Sequence, residues 1–102
     1  MKRVTLALAA LAIHAAGSAR AADAATADLY QKKCAVCHGK DGKASTPMAQ
    51  KLGATDLTAV KASEADIAKV IADGKGKMTP FKGKLTDAEI ASLAKYVKDG
   101  LK

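Results

Sequence analysis

Cys34-Ala35-Val36-Cys37-His38 is the stretch that most narrows what this chain can fold into. Two thiols three residues apart sit one helical turn apart, and an imidazole follows directly. They are the only cysteines in 102 residues, and C-x-x-C-H is the attachment order for a c-type haem. The spacing suits that chemistry, because paired thiols can add to the two vinyl groups on one edge of the macrocycle. The next side chain can then turn its imidazole to the iron. Cys34 and Cys37 are therefore the expected covalent haem sites and His38 the expected proximal iron ligand. A thioredoxin-like redox pair would need a βαβ setting, and a structural zinc site would need four ligands.

Size points the same way. One domain is the most that 102 residues hold. The only aromatics are Tyr30, Phe81 and Tyr96, with no Trp. So short a chain with so few large side chains has difficulty filling a core unaided, and a bound macrocycle would complete it. With 49% hydrophobic and 26% charged residues, the composition is that of a globular chain rather than a disordered or low-complexity one.

The first segment reads as an export signal rather than as part of the fold. Lys2 and Arg3 precede the mostly apolar run Val4 to Ala16, and Ala19-Arg20-Ala21 offers small residues for cleavage. That run of 13 residues is shorter than the about 20 needed to span a bilayer. The expected division is a signal peptide at 1–21 and a monohaem domain at 22–102, located in the periplasm (or in a thylakoid lumen if the source is photosynthetic), with no stable membrane insertion. Cleavage would remove His14, Lys2, Arg3 and Arg20, leaving fourteen lysines against ten acids, a net charge of +4. Without Arg forks or stacking aromatics, nucleic acid is a poor match for that charge; an acidic protein partner suits it better.

The remaining pattern is all-α. Residues 24–33 are rich in helix formers, and 39–58 reads as loop. A helix over 63–73 opens on Ser63-Glu64-Ala65-Asp66, carries Ile67, Val70 and Ile71 on one face, and stops at Gly74. A Gly-rich strap follows over 74–85. The last helix opens on the capping box Thr86-Asp87-Ala88-Glu89 and buries Ile90, Leu93, Ala94 and Val97 before Gly100. The expectation is three to four helices wrapped around one covalently bound haem, walled by Leu52, Leu57, Ile67, Val70, Ile71, Phe81, Leu85, Leu93 and Val97.

Met78 is the expected distal iron ligand. It lies in the strap between two capped helices, with Pro80 stiffening its far side, so its thioether can be laid against the open face of the iron. Met48, ten residues after His38, reads as pocket lining.

Taken together, residues 24–102 resemble a class I c-type cytochrome, close to the small bacterial and cytochrome c6-like members. The resemblance rests on Leu29-Tyr30-x-x-x-Cys34-x-x-Cys37-His38-Gly39-x-Asp41-Gly42 and on Ile71-x-Asp73-Gly74-Lys75-x-x-Met78-x-Pro80-Phe81. It continues through Leu85-Thr86-Asp87-x-Glu89-Ile90 and Tyr96-Val97. It implies that Tyr30 and Tyr96 meet where the first and last helices cross, that Met78 is the distal ligand, and that the Pro47 carbonyl accepts the His38 N–H. Two positions depart from the pattern: Thr26 stands where many members have Gly, and Thr79 where many have Pro.

The function expected is one-electron transfer between proteins, not catalysis. Both axial positions of the iron would be filled, and no second histidine would remain for acid–base work. Lys32, Lys33, Lys40, Lys43, Lys75, Lys77, Lys82 and Lys84 flank the motif or the strap and suit an acidic redox partner. The family implies a quinol-oxidising complex as donor and a terminal oxidase, photosystem or peroxidase as acceptor; a monomer is the default expectation. The alternative is a haem sensor or small-ligand-binding protein with a labile distal Met.

Overall fold

The computed structural model describes residues 14–102, with side-chain surroundings from residue 24 onward. Of the expected signal segment, residues 1–13 lie outside the described residues. Residues 14–21 belong to the first helix, α1 (His14–Lys33). Four more helices follow: α2 (Ala35–His38), α3 (Pro47–Leu52), α4 (Glu64–Asp73) and α5 (Asp87–Lys98), with a 3₁₀ turn over Leu57–Ala59. Among the described residues there is no strand. Two isolated bridges, Lys75 with Met78 and Lys82 with Leu85, close two tight turns in the strap.

The helix ends follow local chemistry. Ser63 caps α4 by accepting from the Asp66 N–H at 3.1 Å. Thr86 and Glu89 form the reciprocal capping box of α5, at 3.1 and 2.9 Å. α3 lies in the stretch read as loop. Thr46 accepts from the Ala49 N–H at 3.0 Å, Pro47 takes the first helical position, and Gly53 ends the helix at a left-handed φ of 66°. Proline just inside the start and glycine just past the end bracket a short helix; read one at a time, the same residues look like loop punctuation.

One apolar cluster joins the long elements. Ile67 and Ile71 of α4 meet Ile90, Leu93, Ala94 and Val97 of α5, with Tyr30 of α1 and Leu85 of the strap. Tyr30 and Leu93 are fully buried, and burial of a Leu-sized side chain contributes roughly 1.5–3 kcal/mol. The Tyr30 and Tyr96 rings lie 5.6 Å apart between centroids at 54°, a tilted pairing of the kind aromatic quadrupoles favour. The first and last helices therefore cross at the two tyrosines.

Candidate haem site

A cleft of about 720 Å³ opens between α2, α4, α5 and the strap, within the ~300–1,000 Å³ range of sites that hold small molecules and cofactors. Cys34, Cys37 and His38 line it from one end of the chain and Met78 from the other. Leu52, Leu57, Ile67, Val70, Ile71, Phe81, Leu93 and Val97 supply apolar wall. Leu85, expected in that wall, is instead packed in the cluster behind it. Val36 and Val70, 65% and 37% exposed, are apolar side chains of the lining left bare to solvent.

The backbone explains how the motif reaches the cleft. The Cys34 N–H continues α1 by donating to the Tyr30 carbonyl at 2.8 Å. At Cys34 the chain shifts to φ −112° before α2 begins. The His38 N–H donates to the Cys34 carbonyl at 2.9 Å, and Gly39 ends the turn at φ 84°. Cys34, Cys37 and His38 thus ride on one helical turn. Burial, and then the neighbouring Cys37, push the Cys34 thiol up to about 11. Burial also drives the Tyr30 phenol far above its ordinary value; its hydroxyl donates to the Gly39 carbonyl at 2.7 Å and anchors the end of that turn.

His38 Nδ1 lies 2.9 Å from the Thr55 carbonyl oxygen. A carbonyl can only accept, so Nδ1 carries the proton and Nε2 is left as the bare nitrogen that can bind a metal. Thr55 therefore takes the part expected of Pro47. Pro47 is instead spent on starting α3, and Met48 beside it is 50% exposed. Neither lines the cleft. The reason is the α3 helix itself, which takes up both residues and leaves the carbonyls beyond Gly53 to face His38. Thr55 escapes sequence reading because any residue brings a carbonyl. The available signal was next door: Asp56 accepts from the Thr58 N–H at 2.8 Å and the Thr58 hydroxyl at 2.6 Å, fixing the turn that follows. The Thr58 hydroxyl, then its N–H, hold the Asp56 carboxyl below its usual range.

On the other side, Met78 sits in a turn closed by its own N–H donating to the Lys75 carbonyl at 2.9 Å. The strap is pinned to the end of α4 by Phe81 and Lys82 N–H groups donating to the Ile71 and Ala72 carbonyls, each at 3.0 Å. At Gly74, φ 72°, a Cβ would stand 2.5 Å from the Met78 carbonyl oxygen and 2.9 Å from the Pro80 nitrogen. Only glycine allows that approach. Thr79 lines the cleft beside Met78, and the exposed Lys33, Lys75 and Lys77 stand in its lining with Asp66.

These residues fit a metalloporphyrin. An apolar slot is bordered by two thiols on one helical turn, a histidine whose second nitrogen is already engaged, and a thioether on a pinned strap.

The comparisons agree. Residues 21–97 match the family model described as cytochrome C oxidase, cbb3-type, subunit III. The chain is 36% identical to a cytochrome c6 of Picosynechococcus sp., covering 96% of this chain and 92% of that protein. It is 38% identical to a cytochrome c6 of Leptolyngbya boryana, covering 74% and 89%. Over 76% of its length it is 33% identical to the cbb3-type cytochrome c oxidase subunit CcoP of Azospirillum brasilense, of which it spans 30%. The solved structure of the KustC0563 c-type cytochrome superposes with a TM-score of 0.67 at 34% identity, covering 76% of this chain and 98% of that one. The fold, the donor set and these likenesses lead to one conclusion: the chain belongs to the c-type cytochromes, as a small class I member that carries electrons on one covalent haem c and is not an enzyme.

Proposed function

We propose that the chain is a periplasmic one-electron carrier whose haem is attached through Cys34 and Cys37 and ligated by His38 and Met78. The observation that carries this reading is the convergence of those four side chains on one apolar cleft, with His38 Nδ1 already held by a carbonyl. Bound haem supplies a reversible one-electron iron couple. The protein's share is to hold the two axial donors in place and to keep water away. His38 is held through Thr55, Met78 through the pinned strap, and the walls from α4 and α5 exclude solvent. Low polarity and His/Met ligation both favour a high reduction potential.

Residues 1–21 serve in this reading as a cleaved export signal, and 22–102 as the mature domain. No helix among the described residues is long and apolar enough to cross a membrane. The partner is an acidic redox protein, a quinol-oxidising complex on the donor side and a terminal oxidase, photosystem or peroxidase on the acceptor side. Lys33, Lys75 and Lys77 stand on the cleft where an electron would leave.

The deciding experiment compares optical spectra of oxidised wild type and Met78→Ala, with carbon monoxide binding to the reduced forms. Wild type should show the weak red-region absorbance of iron–thioether ligation and bind carbon monoxide poorly, and the variant should lose the first and gain the second. Rapid binding by wild type at neutral pH would instead favour a ligand sensor. Transfer to an acidic partner should slow as salt rises, because the attraction is screened; a rate indifferent to salt would remove the lysines from the account.

A further inference from the structure

The segment just past α5 touches the loop that orients His38. The Gly100 N–H donates to the Val97 carbonyl at 3.1 Å and the Leu101 N–H to the Tyr96 carbonyl at 2.8 Å. This double closure, with Gly100 at φ 85°, turns the chain back on itself. It holds Leu101 at φ 66°, a left-handed conformation that a side chain with a Cβ disfavours and that persists only where the surroundings over-determine it. Leu101 fills the space over Gly42, which is buried at φ 74°. A Cβ on Gly42 would collide with Leu101 Cδ1 and stand 3.4 Å from Leu57 Cβ. Gly42 and Leu57 are themselves joined, the Leu57 N–H donating to the Gly42 carbonyl at 2.7 Å. Thr55, whose carbonyl holds His38, lies two residues before Leu57.

We propose that Leu101 is a positioning residue for the His38 imidazole: seated on the joint between Gly42 and Leu57, it keeps the intervening loop in register so that the Thr55 carbonyl stays on Nδ1. The inference rests on His38 as the axial ligand. A firm bond from Nδ1–H makes the imidazole a stronger donor and so favours the oxidised iron. Slackening the joint weakens that donor and raises the reduction potential.

The test uses the haem-loaded protein with Leu101→Ala, a chain ending at Gly100, and Leu101→Met, which refills the space. Two quantities are read: the reduction potential, and the solvent-exchange rate of the His38 Nδ1 proton by NMR. Leu101→Ala and the shortened chain should shift the oxidised-to-reduced equilibrium about threefold toward reduced, about 28 mV upward at 59 mV per tenfold. They should also exchange the Nδ1 proton at least about tenfold faster than wild type, a rise that follows opening of the local hydrogen bond. Leu101→Met should restore both. Ile90→Val, a buried α5 position outside the cleft lining, should lower thermal stability and move neither. Unchanged potential and exchange in Leu101→Ala and the shortened chain overturn the proposal and leave Leu101 as packing alone. His38 ring protons without paramagnetic shifts in oxidised wild type would overturn the ligand assignment itself, and the inference with it, so the two failures are distinguishable.

Discussion

The two sides of the cleft hold their ligating side chains by different means. His38 is gripped at the side chain: its ring donates to the Thr55 carbonyl, and the turn beneath it is tied to Tyr30 through Gly39. Met78 is held by apolar packing against the core cluster and through its backbone, by a tight turn, a close approach at Gly74 and the bonds from Phe81 and Lys82 to α4. A thioether offers little for hydrogen bonding, so its position rests on the main chain and on apolar packing. The difference teaches where the site is stiff and where it can be released: small backbone changes in the strap should free Met78 and leave His38 in place.

On the proposed ligation, Met78→Ala is the largest break in this contrast. It should retain covalent haem yet lower the potential by on the order of tenths of a volt, within the ~0.8 V over which axial ligands set haem potentials; direct potentiometry checks it. Gly74→Ala should come next. The new Cβ meets backbone, and φ 72° with ψ 171°, a combination almost confined to glycine, costs about 1–3 kcal/mol. Thermal unfolding should record that loss, and carbon monoxide should enter the reduced variant while the His38 proton spectrum stays as in wild type.

Tyr30→Phe probes the other side. It removes the donor to the Gly39 carbonyl and should cost about 1–3 kcal/mol at neutral pH. Because burial raises the Tyr30 phenol in the fold, its neutral form stabilises the native state below an unfolded value of 10.0. That contribution is lost as pH rises further. The stability of wild type should therefore fall more steeply above pH 10 than that of Tyr30→Phe, as chemical denaturation at a series of alkaline pH values would show. The smallest effect is Thr46→Ala, which removes the cap of α3 and should cost about 1 kcal/mol. A urea titration that found no change would mean that α3 adds little to the ordering of the loop carrying Thr55.

Much of this molecule is legible in its residues because the informative signals are local. Ser63 and Thr86 mark helix starts by the bonds their own side chains make, and Gly74 and Gly100 mark the ends. The apolar spacing of Ile67, Val70 and Ile71 announces which face of α4 turns inward. The C-x-x-C-H run carries its chemistry within five residues. The walls from α4 and α5 follow from the same kind of periodicity; Leu52, Leu57 and Phe81 lie outside it, and Leu85, also expected in the wall, sits one layer behind. The departure at Thr26 did not prevent the two tyrosines from meeting.

What the chain alone determined, then, was the all-helical pattern, and it put forward the C-x-x-C-H run and Met78 as candidates, since each depends on neighbours within a few residues. Only the folded molecule decided that Thr55 rather than Pro47 supplies the carbonyl to His38, that Met48 stays outside the cleft, and that Leu101 closes over Gly42. Those three outcomes turn on backbone groups and empty space. Every residue type brings nearly the same backbone, so side-chain signals such as Asp56 on Thr58 or the Thr46, Pro47 and Gly53 bracket of α3 could mark the turns but not where their carbonyls would converge.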